Sequence, residues 1–285
     1  MNYGFVLPFG DARTAAELAQ LAEECGWDGF FVWEPVWGND AWVLLTAAAM
    51  RTQRIRLGTM LTPLSRMKPW KLASEAATLD NLSGGRVILS IGLGAPDTGW
   101  EEFGEVTDRR TRAELLDEGL DIVTGLWRGQ PFRYDGKHYQ VKPMNFMVPP
   151  PPAQQPRIPI WVVGAWPYAK SMARALRYDG LIPSMFDAEG KARDASLEVL
   201  REMTAYVQAN RPAADAADAA EAGRPYDIVV EGVTPGADPA AAAAQVQPWA
   251  EAGATWWIEA MWAASDRTDG LEFVRRRVRQ GPPRV

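Results

Sequence analysis

Short apolar runs alternate with longer amphipathic stretches along almost the whole chain, and this alternation constrains the fold more than any other feature. Residues 87–91, for example, are mostly apolar, which is typical of a strand covered on both faces of a parallel sheet. Eight such runs are predicted, each followed by a helix: 3–8, 29–34, 55–61, 87–91, 160–163, 180–183, 226–231 and 255–259. Eight βα units in 285 residues predict an α/β fold, a (β/α)8 TIM barrel, as a single domain over residues 1–285.

The principal alternative is an open, doubly wound parallel sheet. That fold usually carries a glycine-rich turn of the form G-x-G-x-x-G between its first strand and first helix, where the backbone receives a dinucleotide phosphate. Here Pro8-Phe9-Gly10-Asp11 follows the first run instead. The sequence therefore favours the closed barrel.

Capping residues delimit several of the predicted helices. Thr14 and Glu17 have the spacing of a capping box and predict a helix start, and Gly26 predicts the end of that helix. Pro69 predicts the first turn of another helix, which Gly84 ends and whose Leu82 is expected to face inward. The other helices are predicted over 41–50, 111–127, 167–178, 188–210, 239–252 and 271–279. The Ala/Asp-rich residues 211–225 are predicted to be a surface connection or a frayed helix end.

One segment interrupts the alternation between the fourth and fifth strands. Residues 132–141 resemble a β-hairpin around Asp135-Gly136, a dipeptide suited to a two-residue type I′ turn. Residues 143–159 contain seven prolines, which exclude regular helix or sheet interior. A hairpin and Pro-rich insertion at about 129–159 is therefore predicted within the barrel.

Composition excludes several kinds of site and partner. The 30 basic and 36 acidic side chains give a net charge of −6, and the basic cluster at 275–279 reads as a solvated helix face, so no nucleic acid partner is expected. The single Cys25, predicted to be structural and buried, and the single His138, also predicted to be structural, exclude multi-cysteine and two-histidine metal sites. No run approaches the ~20 apolar residues of a membrane span, and no leader precedes the first strand, so a cytoplasmic protein without a membrane partner is expected.

Acidic side chains at the predicted strand ends are the candidates for acid–base chemistry, because a barrel's active site lies at the carboxyl ends of its strands. Glu34, Glu231 and Glu259 end three of the strands, and Asp97 follows the fourth. Glu34 is the best-placed candidate catalytic residue, and Asp97 is the next. The competing structural interpretation is that each glutamate pairs with an arginine or caps a loop, whereas two of the three at working separation would indicate a glycosidase.

Aromatic and glycine residues dominate the same predicted rim. Five of the thirteen tryptophans fall at or just beyond strand ends and predict an apolar pocket wall: Trp33, Trp37, Trp100, Trp166 and Trp262. Gly164 and Trp166 lead into a helix start, where free N–H groups and the nearby Lys170 favour an anion such as phosphate.

Several motifs resemble the bacterial luciferase-like family of flavin-dependent oxidoreductases. The most specific is the block Thr78-Leu79-Asp80-Asn81-Leu82-Ser83-Gly84-Gly85-Arg86; others are Gly58-Thr59-Met60-Leu61-Thr62-Pro63, Gly92-Leu93-Gly94, Asp135-Gly136-Lys137-His138-Tyr139 and Pro159-Ile160-Trp161-Val162-Val163-Gly164. Together they extend over almost the whole chain. The family fold is a (β/α)8 barrel with an insertion, which agrees with the strand count.

The resemblance implies a reduced flavin, either FMN or the deazaflavin coenzyme F420, bound at the barrel mouth. The ring would lie on a bulge at Thr59, Met60 and Leu61, with a non-proline cis peptide between the last two. Gly92 and Gly94 would form a second wall, and the turn containing Gly164, Trp166 and Lys170 would hold the phosphate. Substrate contacts are expected from Trp33, Trp37, Trp100 and Trp262, and the family commonly forms homodimers.

The leading hypothesis is a luciferase-like monooxygenase that uses reduced FMN and oxygen on a small organic substrate, with a separate flavin reductase as a possible partner. One alternative is F420-dependent hydride transfer, and another is a non-catalytic flavin-binding barrel. A glycosidase or phosphosugar enzyme on the same fold is a further alternative. Bacterial luciferase carries a histidine where this chain has Pro35, which speaks against bioluminescence chemistry.

Overall fold

Eight parallel strands close into a barrel in the computed structural model, which describes residues 1–187, 191–211 and 225–285. The barrel strands are β1 (Asn2–Leu7), β2 (Gly29–Val32), β3 (Arg56–Thr59), β4 (Val87–Gly92), β5 (Ile160–Trp166), β6 (Gly180–Phe186), β7 (Asp227–Gly232) and β8 (Trp256–Ala260). Each pairs with the next in chain order, and β8 pairs back with β1 from Asn2↔Trp256 to Val6↔Ala260. The predicted (β/α)8 barrel is confirmed.

One helix follows each strand and packs on the outside of the barrel. The helices are α1 (Ala12–Glu24), α2 (Ala41–Ala49), α3 (Pro69–Ser83), α4 (Arg109–Arg128), α5 (Ala169–Leu176), α6 (Leu197–Asn210), α7 (Pro239–Glu251) and α8 (Gly270–Arg279). Helix α3 begins at Pro69 and ends before Gly84, whose φ of +70° is the left-handed cap that the sequence predicts. Leu82, predicted to face inward, is instead 49% exposed.

The predicted start of α1 is wrong by three residues, slightly less than one turn. The Asp11 carboxylate accepts a hydrogen bond from the Thr14 backbone N–H at 2.8 Å, so Asp11 is the N-cap and Thr14 lies inside the helix. The Asp11 cap satisfies the Thr14 N–H group that the Glu17 side chain would satisfy in the predicted capping box.

The helix predicted over 188–210 is shorter than expected. Residues Ala192–Arg193 form a short strand that pairs antiparallel with Met185 and Phe186 at the end of β6. Helix α6 begins only at Leu197, where the Ser196 hydroxyl accepts from the Val199 N–H. Most of the predicted connection at 211–225 lies outside the described residues.

The hairpin of the insertion has a different turn from the predicted one. Strands Tyr134–Asp135 and Gln140–Val141 pair antiparallel, so Asp135 belongs to a strand and four residues form the loop. The Glu118 carboxylate of α4 accepts hydrogen bonds from the backbone N–H groups of Lys137 and Tyr139 at 2.8 and 3.0 Å. These hydrogen bonds hold the longer loop in place. The His138 ring lies 2.9 Å from the Glu114 carboxylate, which agrees with its predicted structural role.

The motif that carries most of the family resemblance forms a hydrogen-bond network at the start of β4. Arg86 is buried and donates to the backbone oxygens of Ala49, Thr52 and Ile55. The buried Asp80 accepts from the backbone and the side chain of Gln154, in the insertion. These residues join three βα units at the amino-terminal end of the strands, which is the end opposite to the expected active site.

The barrel wall separates two clusters of buried side chains. The inner cluster includes Val6, Phe31, Met60, Ile88, Trp161, Ile182, Val229, Trp256 and Ile258. The outer cluster, between the wall and the helices, includes Phe5, Val32, Ile91, Val230 and Trp257. Because paired residues of neighbouring parallel strands project to the same side, the register assigns each strand-end residue to the mouth or to the helix layer.

Candidate active site

Glu259 lies on the helix side of the wall, since it pairs in register with Phe5 of the outer cluster. Its fully buried carboxylate accepts from Arg277 Nε at 3.1 Å and Nη2 at 3.2 Å, and from the Thr234 N–H at 2.6 Å. The predicted pairing with an arginine is confirmed for this residue. Arg277 is only 4% exposed, so the solvated-face interpretation of the basic cluster is wrong at this position.

Glu34 also lies behind the wall. Its carboxylate accepts from the Thr62 hydroxyl at 2.7 Å, and the Thr62 and Thr59 hydroxyls lie 3.0 Å apart. Thr59 pairs in register with Val32 and Thr62 with Ile91, both of which belong to the outer cluster. The prediction that Glu34 handles protons in the mouth therefore conflicts with its placement.

The surroundings of Glu34 raise its pKa to about 7. Burial of the carboxyl group is the main cause, and the negative charges of Glu75 and Asp40 add to it. The Thr62 hydrogen bond and the Arg66 guanidinium act in the opposite direction. Arg66 itself donates to the backbone oxygen of Pro35 at 2.9 Å, which ties the end of β2 to the segment after β3.

Glu231 is the strand-end glutamate that faces the mouth. It pairs in register with Ile258 of the inner cluster, and Val229, two residues earlier on the same strand, also points inward. Its carboxylate accepts from Trp262 Nε1 at 3.3 Å, and burial among protein atoms raises the pKa of the carboxyl group. The sequence analysis identified Glu231 as a rim carboxylate but ranked Glu34 and Asp97 above it; its two-residue spacing from Val229 was the signal available.

The segment after β3 forms a bulge in the barrel wall, with a cis peptide bond between Met60 and Leu61. This agrees with what the family resemblance implies. Met60 belongs to the inner cluster, and the Leu61 side chain lies against Gly92 of β4. A Cβ atom on Gly92 would lie 2.8 Å from Leu61 Cδ2 and 2.9 Å from Val163 Cγ2, so glycine is needed here for these two side chains to pack over the strand.

A buried hydroxyl lies inside the barrel below this surface. Ser90 pairs in register with Trp161 of the inner cluster and is fully buried. Its Oγ has no hydrogen-bond partner among the described residues. A floor that is apolar apart from one hydroxyl suits the face of a flat aromatic ring.

Three residues predicted to bind the cofactor have side-chain positions that point away from the mouth. The Thr59 hydroxyl donates to the Ser90 backbone oxygen on the outer side of the wall. A Cβ atom on Gly164 would meet Leu181 and Met172, so this glycine lets α5 approach the strand rather than a ligand. Trp166 packs edge-on against Tyr206 of α6 with ring centroids 5.5 Å apart. Their side chains are corrected to structural roles; their backbone atoms remain at the rim.

The anion site at the start of α5 stays a prediction, and two features of the structure bear on it. Tyr168 precedes the helix and provides no side-chain cap, and Lys170 is exposed on the first turn. The guanidinium of Arg109 lies 4.9 Å from the Tyr168 ring centroid, which adds a second positive charge nearby. Uncapped N–H groups with cationic side chains beside them favour a phosphate.

The predicted tryptophan wall divides into accessible and buried members. Trp33 and Trp37 line a cavity of about 130 Å³ between the ends of β1 and β2 and helix α2. Trp262 is 41% exposed beside Glu231. Trp100 is only 2% exposed, between the guanidinium groups of Arg66 and Arg112, so it supports the loop after β4 instead of lining open space.

Asp97, the second candidate catalytic residue, lies exposed on the short 3-10 turn Pro96–Thr98. No group of three or more His, Cys, Asp or Glu side chains within the described ranges could hold a metal ion. In the same part of the chain, no helix has the length and apolar character needed to cross a membrane.

A family profile described as luciferase-like monooxygenase matches residues 1–279. The chain belongs to this family. A curated relative, the F420-dependent glucose-6-phosphate dehydrogenase of Nakamurella multipartita, is 30% identical over 212 residues, which cover 68% of this chain and 58% of that protein. The chain thus matches less than two thirds of the length of this relative.

Solved structures of other proteins share the barrel. The coenzyme F420-dependent tetrahydromethanopterin reductase of Methanopyrus kandleri superposes with a TM-score of 0.75 at 16% identity, covering 98% of both chains. The oxygenating constituent of 3,6-diketocamphane monooxygenase from Pseudomonas putida, solved with FMN, gives a TM-score of 0.64 at 21% identity and covers 87% of this chain and 71% of the other. At these identities the likeness establishes the fold.

Proposed function

We propose that this luciferase-like barrel is an oxidoreductase that uses the deazaflavin coenzyme F420 for hydride transfer to or from a small organic substrate. The observation that carries the proposal is the bulge at Met60 and Leu61, where the Leu61 and Val163 side chains pack over Gly92 and form an apolar surface. The F420-dependent relative from Nakamurella supports this cofactor ahead of FMN, which the sequence analysis placed first.

The residues present fit a flavin or deazaflavin ring. Leu61, Val163 and Gly92 provide an apolar face, and the Ser90 hydroxyl lies beneath it with its hydrogen-bonding capacity unused by the described residues. The bound deazaflavin supplies or accepts a hydride. The chain's own contribution is to hold the ring flat, to bind the phosphate and to place the substrate.

Two other regions of the mouth complete this arrangement. The first turn of α5 and Lys170 would receive the phosphate of the cofactor side chain. Trp262, beside Glu231, would cover the substrate and reduce its contact with water. Exclusion of water strengthens the electrostatic interactions of a charged group in the mouth.

Monooxygenation with reduced FMN is the second candidate. It is favoured by the description of the matching family and by the FMN-bound structural neighbour, although that neighbour is only 21% identical. The same apolar surface would accept either ring. This reaction would require a supply of reduced FMN, for which a separate flavin reductase is the expected partner.

The deciding experiment is a titration of the purified protein with F420 and, separately, with FMN, followed by absorbance and fluorescence. We expect saturable F420 binding and substrate-dependent reduction or oxidation of F420 under anaerobic conditions. Preferential FMN binding with oxygen consumption would favour the second candidate. Cofactor binding without turnover across a panel of alcohols, aldehydes and enones would leave the non-catalytic barrel as the remaining interpretation.

A control variant tests whether binding uses the proposed surface. Gly92→Val would place a branched side chain within the contact between Leu61 and Val163, so binding should be lost while the barrel still folds. Undiminished binding by a folded Gly92→Val protein would place the cofactor elsewhere. Circular dichroism and thermal unfolding would verify the folded state.

A further inference from the structure

The three glutamates at the strand ends differ in which side of the barrel wall they occupy. Glu259 is neutralised by Arg277, and Glu34 is hydrogen bonded to Thr62 behind the wall. Glu231 alone among these three pairs in register with a residue of the inner cluster. A substrate in the mouth would therefore meet the carboxyl group of Glu231.

The contacts of Glu231 leave part of its carboxyl group available. Trp262 Nε1 donates to Oε2 at 3.3 Å from the 3-10 helix Trp262–Asp266 that follows β8. The side chain remains accessible to solvent from the open end of the barrel. One oxygen is thus oriented by an indole, and the other can reach a ligand.

No opposite charge compensates Glu231 from the neighbouring described elements. Strand β6 contributes no charged residue, and on β8 Glu259 is turned outward to Arg277. Asp227 lies at the other end of β7 and is bonded to Thr255, and Asp266 is exposed on the loop. Although the Glu231 residue is exposed at the rim, the protein atoms crowded around its carboxyl group, with no cationic partner among them, raise its pKa toward neutral pH, where a general acid or base is most effective.

We propose that Glu231 is the catalytic residue that exchanges a proton with the substrate's oxygen atom, and that Trp262 is the positioning residue that orients its carboxyl group. The inference rests on the proposed function. In the oxidation of an alcohol, the hydroxyl proton passes to the Glu231 carboxylate while the hydride on the adjacent carbon passes to the oxidised deazaflavin, and a carbonyl group forms. In the reverse direction the protonated Glu231 returns the proton to the carbonyl oxygen. This step requires an alcohol–carbonyl pair as the substrate class.

The test compares Glu231→Gln with wild type for cofactor affinity, KM, and kcat as a function of pH. Loss of a positioned proton donor should lower kcat by about 10²–10⁴-fold and remove the corresponding pKa from the kcat profile, with cofactor affinity nearly unchanged. Asp266→Asn, which neutralises an exposed carboxylate on the 3-10 helix that carries Trp262, is the matched control and should leave kcat unchanged. Trp262→Phe should shift the pH profile and lower kcat less than Glu231→Gln does.

A second readout does not depend on turnover. Protonation of Glu231 alters the hydrogen bond to Trp262, so the tryptophan fluorescence of the cofactor-free protein should titrate above the ordinary glutamate range near 4.5. This transition should be absent from both Glu231→Gln and Trp262→Phe.

The outcomes separate this inference from the proposed function. If wild type binds and turns over F420 and Glu231→Gln retains its kcat and pH profile, the inference is overturned and the proposed function stands. A fluorescence transition that stays in the ordinary glutamate range also overturns it. If neither wild type nor variant binds F420 or FMN, the proposed function fails first, and the catalytic role falls with it.

Discussion

The Thr62 hydroxyl donates a 2.7 Å hydrogen bond to the Glu34 carboxylate across the outer surface of the bulge that contains Met60 and Leu61. Thr59, on the other side of the bulge, lies 3.0 Å from the same hydroxyl. The two threonines are fully buried, so this bond connects the end of β2 to both ends of the bulge. Glu34 thereby supports the proposed ring surface from behind.

Glu34→Gln should change how the stability of the protein depends on pH. Because the folded-state pKa is raised from 4.5 to about 7, the stabilising contribution of protonated Glu34 is complete below pH 4.5 and is lost as the pH rises through about 7. Glutamine resembles the protonated acid. The free energy of unfolding of the variant should therefore exceed that of wild type by about 1–3 kcal/mol between pH 5 and pH 8. Urea unfolding at several pH values measures this difference, and the exposed Glu102→Gln is the control. A constant difference at all pH values would contradict the raised pKa.

Glu259→Gln should destabilise the protein without a specific effect on catalysis. The substitution leaves Arg277 buried without its carboxylate partner. Loss of one partner of a buried ion pair typically lowers the free energy of unfolding by about 3–5 kcal/mol. The exposed pair of Arg267 and Asp269 provides the contrast, because Arg267→Gln should cost no more than ~1 kcal/mol. Denaturant unfolding measures both. A small loss in Glu259→Gln, accompanied by abolished hydrolysis of a glycoside, would revive the glycosidase alternative.

Gly92→Ala should weaken cofactor binding more than it weakens the fold. The added methyl group meets only the ends of the Leu61 and Val163 side chains, which can shift, but this moves the proposed ring surface. We expect the Kd for F420 to rise about tenfold, equivalent to about 1.4 kcal/mol. Gly84→Ala is the matched contrast: its φ of +70° should cost roughly 1 kcal/mol of stability at the opposite end of the barrel, with binding unchanged. Calorimetric titration and thermal unfolding separate the two effects, and equal losses of binding would argue against a ring on Gly92.

Lys170→Gln should weaken cofactor binding in a salt-dependent manner. An exposed cation at a helix start contributes modestly, so a three- to tenfold increase in Kd is expected at low ionic strength, shrinking as salt screens the charge. Lys142→Gln removes an equally exposed cation from the insertion and should leave Kd unchanged. Identical Kd values for wild type and Lys170→Gln at low salt would place the phosphate elsewhere.

Local sequence signals predicted the strands and helices of the barrel well, because these elements depend mainly on residues that are close together in the chain. The alternation of apolar runs and helices identified the eight strands, and Pro69 with Gly84 delimited α3. The helix start at Thr14 and the turn at Asp135-Gly136 were wrong, since Asp11 and the distant Glu118 supplied the competing hydrogen bonds. A capping pattern in the sequence does not show which of two candidate residues forms the hydrogen bond in the folded protein.

By itself, the sequence determined the number of strands, the end of the barrel at which a site would lie, and the residues available there, including the three glutamates. Only the tertiary structure decided which of them a ligand could meet. Successive side chains of a strand point to opposite sides of the barrel wall. A shift of one residue in strand pairing would therefore move a side chain from the mouth to the helix layer. The register of closure, set by pairing between strands distant in sequence, turns Glu34 and Glu259 outward and Glu231 inward.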